Sequence, residues 1–183
     1  HLNKFSRGNN LGRTYQLDLN WEISDNLRVR GAFTYNRQEQ ISEKYVSPFS
    51  SAISDGQENN SIEQIYRRGS YNRNSNMATD YYGMVNISYL KSLGRHTVQA
   101  VLGGEIKEDL AESDSYSVMG FLNDAQTFPS DAAQYPLSGG PGGASSIVRT
   151  VGTFATVNYS FDNRYMLDGS YRPDGSSNFA CQQ

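Results

Sequence analysis

Three stretches of this chain alternate apolar and polar residues without a break, and they end alike. Leu19-Asn20-Trp21-Glu22-Ile23, Val85-Asn86-Ile87-Ser88-Tyr89 and Val157-Asn158-Tyr159-Ser160-Phe161 each read apolar, Asn, apolar, polar, apolar. Each then runs into turn residues: Ser24-Asp25-Asn26, the segment from Lys91 to Arg95, and Asp162-Asn163-Arg164. A strand sends residues i, i+2 and i+4 to one face, whereas a helix scatters them around its axis. In the first stretch this alternation runs for nine residues, from Tyr15 to Ile23, which excludes a helical stripe and demands a sheet with one apolar and one polar face. Asp and Asn suit the reversals, because their side chains bond the local backbone and tolerate left-handed conformations.

Return limbs complete three hairpins. The first strand is expected over residues 14–23, with Tyr15, Leu17, Leu19, Trp21 and Ile23 on one face and Gln16, Asp18, Asn20 and Glu22 on the other. Its return places Leu27, Val29, Gly31, Phe33 and Tyr35 on the apolar face, and Arg28, Arg30, Ala32, Thr34 and Asn36 opposite. The second hairpin sets Tyr81, Gly83, Val85, Ile87 and Tyr89 against Val98, Ala100, Leu102, Gly104 and Ile106, with Val101 an apolar exception on the polar face. The third runs over residues 148–161 and returns over 165–172. Between the hairpins lie two long polar segments, residues 38–76 and 109–146, read as loops; a strand extension is expected over 62–71. The second loop holds Pro129, Pro136, Pro141 and the run Gly139-Gly140-Pro141-Gly142-Gly143, read as a flexible loop and not a phosphate cradle. No proline falls within an expected strand, as ladder hydrogen bonding requires.

Short turns alternating with long loops, and aromatics near both strand ends, describe a transmembrane β-barrel wall. The composition agrees. Only 37% of the residues are hydrophobic, yet 12% are aromatic, with 13 Tyr against one Trp. Mean hydropathy is -0.65. A barrel wall needs one apolar face only, and tyrosine suits the membrane–water interface. No apolar run approaches the ~20 residues of a spanning helix. A net charge of -3 and the absence of a basic block give no support to nucleic-acid binding. The lone Cys181 has no internal partner for a disulfide, and the chain begins at His1 without Met. Residues 1–183 are accordingly expected to form one partial β-barrel domain of a longer chain: all-β, antiparallel, about six strands in three hairpins.

The third hairpin is similar to a known family. The stretch Val151-Gly152-Thr153-Phe154-Ala155-Thr156-Val157-Asn158-Tyr159-Ser160-Phe161-Asp162-Asn163-Arg164-Tyr165-Met166-Leu167 resembles the barrel of SusC/RagA-type TonB-dependent transporters. Arg172-Pro173-Asp174-Gly175-Ser176-Ser177-Asn178-Phe179 resembles that family's Arg-Arg-Asp-Gly-Ser-Ser-Arg-Phe signature, with Pro173 and Asn178 each standing where arginine is usual. The segment Trp21-Glu22-Ile23, residues 45–50, Arg68-Gly69-Ser70-Tyr71 and Gly94-Arg95-His96 fit more loosely. The resemblance implies part of a plugged barrel of about 22 strands in a Gram-negative outer membrane. It also implies TonB and a SusD-like surface lipoprotein as partners of the parent chain, and nutrient uptake with a glycan oligomer or peptide as cargo.

Nothing in the sequence assembles a catalytic constellation, so the chain is not read as an enzyme. Two histidines, one of them the first residue, do not make a metal site or a triad, and no cofactor is expected. Asp109, Glu112 and Asp114 are read as a solvated acidic loop, and Asp174, Ser176 and Asn178 as a strand-end turn that lacks the later ligands of a calcium loop. Asn86-Ile87-Ser88 and Asn158-Tyr159-Ser160 match the glycosylation pattern by chance, inside strands. Asp18, Glu22, Arg28, Arg30, Glu105, Lys107 and Asp168 are expected to face a lumen. Tyr116, Phe121, Phe128 and Tyr135 are the candidate substrate-binding residues, placed in outer loops. Tyr15, Trp21, Tyr35, Tyr81, Tyr89, Tyr159, Phe161 and Tyr171 are the candidate membrane-interface aromatics, with the lipid bilayer as their partner. A soluble β-sandwich or adhesin-like module, and a passive porin, are the alternatives the pattern leaves open.

Overall fold

The computed structural model describes residues 4–50, 67–123, 125, 127–137 and 139–177. These residues form one antiparallel sheet of seven strands: β1 (Lys4–Ser24), β2 (Leu27–Val46), β3 (Ser70–Leu93), β4 (His96–Met119), β5 (Gly142–Phe161), β6 (Tyr165–Tyr171) and β7 (Asp174–Ser176). Strand order follows chain order from β1 to β6, and β7 returns to pair with β5. The expected all-β architecture of three consecutive hairpins is what forms. A 3-10 turn, Pro129–Asp131, lies in the last long connection.

The strands are longer than the alternation predicts. β1 begins at Lys4 instead of residue 14, β2 continues to Val46, β3 starts at Ser70, β4 reaches Met119 and β5 starts at Gly142. Residues 38–46, 70–76, 109–119 and 142–146, read as loop, are therefore strand. The expected extension over 62–71 lies outside the described residues up to 66 and becomes strand only from Ser70. Polar residues on both faces, as in Asn72-Arg73-Asn74-Ser75-Asn76, conceal a strand from a periodicity reading. Backbone pairing holds these segments in the sheet, with apolar packing confined to a few positions such as Tyr45, Tyr71 and Val118. The signature segment is also corrected. Asp174–Ser176 is not a free turn but β7, paired in register Thr150↔Ser176, Val151↔Gly175 and Gly152↔Asp174; Asn178 lies outside the described residues.

The turns obey backbone stereochemistry. Gly94 takes φ 61 as the first residue of a two-residue reversal, a position that glycine fills without strain. Asp162 and Asn163 take φ 53 and 52, the left-handed region that short polar side chains visit most readily after glycine.

The chain divides into two compact units. One comprises His1–Gly12, Gln38–Met77 and Ala111–Ser145; the other comprises Arg13–Arg37, Ala78–Leu110 and Ser146–Gln183. In the first, a row of side chains across four strands, Phe5, Tyr45, Tyr71 and Val118, is covered by Phe121 and Ala132 from the connection after β4. Phe5 stacks on Tyr45 at 5.5 Å, and Phe121 meets Tyr45 edge-on at 5.1 Å. Backbone bonds from Gly120 N–H to Gly69 O and from Phe121 N–H to Arg68 O fasten that connection. Gly69 is required there: its φ is 77, and a Cβ would press on Pro48 at 3.0 Å.

A candidate membrane-facing wall

The unit built from residues 13–37, 78–110 and 146–177 is a two-faced sheet whose register is fixed by side chains. Arg28 Nη2 donates to Glu22 Oε1 at 2.7 Å, Thr14 Oγ1 donates to Asn36 Oδ1 at 3.1 Å, and Tyr15 stacks on Tyr35 at 6.0 Å, so all three pairs sit opposite one another. Across β2 and β3, Asn36 Nδ2 donates to Asp80 Oδ2 at 3.1 Å and Tyr35 meets Tyr81 at 5.1 Å. Across β3 and β4, Gly83 lies beside Ile106 and Asn86 beside Gly103; across β4 and β5, Gly103 lies beside Phe154 and Gly104 beside Thr153.

One face of this unit is apolar and open. Leu17, Leu19, Trp21, Phe33, Val85, Ile87, Leu102, Ile106, Val151, Val157, Leu167 and Tyr171 are all exposed, Trp21 at 59% and Leu102 at 58%. An apolar area of this extent on a sheet face marks a surface built to meet something other than water. The opposite face is polar. Tyr82 Oη donates to Glu105 Oε2 at 3.1 Å, and Arg172 reaches both Glu105 and Asp174. The network spans β3 to β7, crossing β5 at Gly152, where a Cβ would lie 2.7 Å from Asp174 Oδ1 and 3.2 Å from Glu105. Glycine at 152 is what lets Arg172 bridge two strands. On this face Lys107 pairs with Asp109 and Gln16 with Asp18.

The candidate interface aromatics fall into two belts. A line perpendicular to the strands runs Trp21, Val29, Ile87, Leu102, Ala155 and Tyr171. Tyr89 lies two residues closer to the short turns than Ile87, and Tyr159 four residues closer than Ala155. From Trp21 on β1 through Tyr89 on β3 to Tyr159 on β5, the belt near the turns thus drifts by one residue per strand. One residue of rise (~3.3 Å) per strand spacing (~4.8 Å) corresponds to a tilt of ~35°, the inclination of strands in membrane barrels. At the other end, Tyr15, Tyr35 and Tyr81 make a contiguous row. Tyr171 on β6 sits six residues nearer the turns than that row, the same sense of drift. Phe161 packs on His96 at 4.9 Å and on Tyr165 at 6.4 Å, while His96 Nδ1 and Tyr159 Oη share a hydrogen bond of 2.6 Å.

The structure separates the four candidate substrate-binding residues. Tyr116 is on β4, not in a loop, and tilts toward Tyr71 at 6.1 Å. Phe121 is 3% exposed, so it serves the core cluster. Phe128, 73% exposed at the head of the 3-10 turn, and Tyr135, also exposed, remain on the surface. A surface the sequence reading missed is a polar cavity of ≈ 470 Å³, lined by Ser6, Ser42, Asn72, Asn74, Ser115 and Ser117 among others. Its signal lay in the serine and asparagine residues at alternate positions. Beside it Tyr71 Oη donates to Glu43 at 2.8 Å, and burial first, then the Glu43 bond, raises the phenol's pKa far above its ordinary value. Among the described residues no three His, Cys, Asp or Glu side chains gather to hold a metal. No described helix is long and apolar enough to cross a membrane, which leaves crossing by strands untouched.

No protein-family model and no curated protein sequence matches the chain. Solved structures do. The RagAB peptide importer in its closed-closed state superposes with a TM-score of 0.80 at 16% identity, over 98% of this chain and 19% of that one. The RagAB peptide transporter gives 0.79 at 16% identity over 97% and 19%. The open-open state gives 0.78 at 16% identity over 97% and 18%. The chain thus spans about a fifth of the length of the chains it matches. It carries the fold of a segment of these RagAB chains, the fold that its resemblance to SusC/RagA-type transporters implied.

Proposed function

We propose that this chain is a stretch of barrel wall from an outer-membrane importer of the SusC/RagA type. The observation that carries the reading is the aromatic belt that drifts one residue per strand along an exposed apolar face, since a soluble sheet has no reason to keep such a tilt. The RagAB likeness supports the same reading. In it the apolar face meets lipid and the polar face, with Glu105, Arg172, Asp174 and the Glu22–Arg28 pair, lines a water-filled lumen. The three tight turns lie on the periplasmic side and the long connections face outside. Energy reaches the parent chain through TonB acting on a plug domain, and a SusD-like lipoprotein closes the outer mouth. The cargo is an oligomer, a peptide as in the RagAB importer or a glycan. The wall itself performs no chemistry, holds no cofactor and is not an enzyme.

Arginine at Val85 or Leu102 tests the membrane assignment. In the full-length chain carrying this wall, either change is expected to cost ~2–4 kcal/mol at the bilayer midplane and to reduce the heat-modifiable, folded form in outer-membrane extracts. Unchanged folded yield for both variants would contradict a lipid-facing wall.

A further inference from the structure

The polar cavity of ≈ 470 Å³ belongs wholly to the unit built from residues 1–12, 38–77 and 111–145. Period-two alternation produces it. On β2, β3 and β4, Tyr45, Tyr71 and Val118 turn toward the core cluster, and their chain neighbours Lys44, Asn72 and Ser117 turn the other way. Two residues along, the same strands supply Ser42, Asn74 and Ser115, and β1 adds Ser6 beside Phe5. Among the described residues, no hydrogen bond engages the side chains of Ser6, Ser42, Asn72, Asn74, Ser115 or Ser117. Hydroxyls and amides thus converge on one concavity with their donors and acceptors open. Lys44 and Glu43 are the charged residues of the described lining; their signs cancel, and Glu43 already accepts from Tyr71 Oη at 2.8 Å. Gly140, from the connection ahead of β5, lies at the rim, where a Cβ would meet nothing within 4 Å.

We propose that this cavity is a subsite for an uncharged sugar unit of an oligosaccharide cargo. Its volume falls within the range of about 300–1,000 Å³ typical of small-molecule sites. Its lining is hydroxyl and amide where such sites are mostly apolar, which selects a ligand whose own surface is polar all round. A serine hydroxyl and an asparagine amide each donate and accept, and so does every hydroxyl of a sugar ring. A peptide fits this lining less well. Recognition of a peptide main chain uses a free sheet edge with recesses for alternate side chains, whereas Ser42, Asn72, Asn74, Ser115 and Ser117 stand on strands already paired on both sides. With no net charge, the lining has nothing to repay the dehydration of a charged ligand. The subsite rests on the importer reading, in which the long connections beside the cavity face outside, and it narrows the cargo to a glycan.

A printed array of neutral oligosaccharides, uronate-bearing oligosaccharides and peptides of matched length tests it, probed with the fluorescently labelled full-length chain in detergent. The wild type is expected to be retained on one or more neutral oligosaccharides at least ~10-fold above the peptides and uronates, the factor that one or two unmatched hydrogen bonds supply. The double variant Asn72→Ala/Asn74→Ala is expected to lose about 10-fold of that retention, and Asn20→Ala, far from the cavity along β1, to keep it. Because neither Asn72 nor Asn74 holds another described side chain, the heat-modifiable folded form is expected in all three chains. A folded wild type that prefers peptides or uronates, retains all three classes equally or retains none would overturn the sugar subsite. So would undiminished retention by the double variant. Each of these outcomes leaves the wall intact, whereas a wild-type chain with no heat-modifiable form would overturn the wall reading and the subsite together.

Discussion

At the scale of single residues, the glycines of the polar face show how tightly side chains dictate one another across strands. A Cβ at Gly103 would run into the Phe154 ring and lie 2.5 Å from Asn86 Oδ1. The ring of Phe154 therefore occupies space that only glycine leaves free, and the strand accepts the conformational cost of glycine to house it. Overfilling a packed site costs ~1–3 kcal/mol. Gly103→Val is expected to lower the folded yield of the full-length chain accordingly, and Phe154→Ala in the same chain to restore most of it. A Gly103→Val chain as well folded as wild type would show that the ring has another place to go. Gly152 answers to a different neighbour, the Arg172 bridge between Glu105 and Asp174. That contact gives the Arg-Pro-Asp-Gly-Ser-Ser segment a structural role, because Arg172 and Asp174 are tied to each other and, through Glu105, to β4. Little of this is legible in the sequence, because Glu105 and Arg172 are far apart along the chain and only the register brings them together.

At the scale of elements, alternation identifies strands wherever one face is apolar, and it fails where both faces are polar. Residues 14–23 and 81–89 announce themselves through Leu, Trp, Val and Ile at every second place. Residues 70–76 do not, although they belong to the same strand as 81–89. A strand needs a continuous apolar face only where that face leaves water; beyond it the ladder of backbone hydrogen bonds, with a few buried side chains such as Tyr71, holds it in the sheet. The same limit explains Phe121. A loop aromatic is free by sequence to meet cargo, but its ring fits edge-on against Tyr45, a contact between segments distant along the chain. Phe128 and Tyr135 lie outside that core and stay exposed. The belts need sequence and structure together. The aromatics are visible in the sequence, but the drift of the turn-side belt by one residue per strand emerges only once the strands are aligned.

At the scale of the whole molecule, the described sheet has two open margins. β1 pairs only with β2, while β6 and β7 pair only with β5. Unpaired margins flanking an apolar face invite association with other chains, and lipid tolerates no open sheet edge. On its own, the 183-residue chain is therefore expected to sediment as heterogeneous aggregate in aqueous buffer. A single sharp monomer boundary in analytical ultracentrifugation would argue for a self-sufficient soluble domain. If the apolar face of this sheet meets lipid and the polar face meets water, the two faces must differ in what reaches them. The most direct test places a nitroxide on cysteines introduced one at a time at residues 83–88 of β3, in the full-length chain reconstituted into vesicles. Labels at 83, 85 and 87 are expected to collide with oxygen and to be shielded from a water-soluble nickel chelate, while labels at 84, 86 and 88 show the reverse. Accessibility without a two-residue period, or a label at 85 freely reached by the chelate, would contradict a lipid-facing wall.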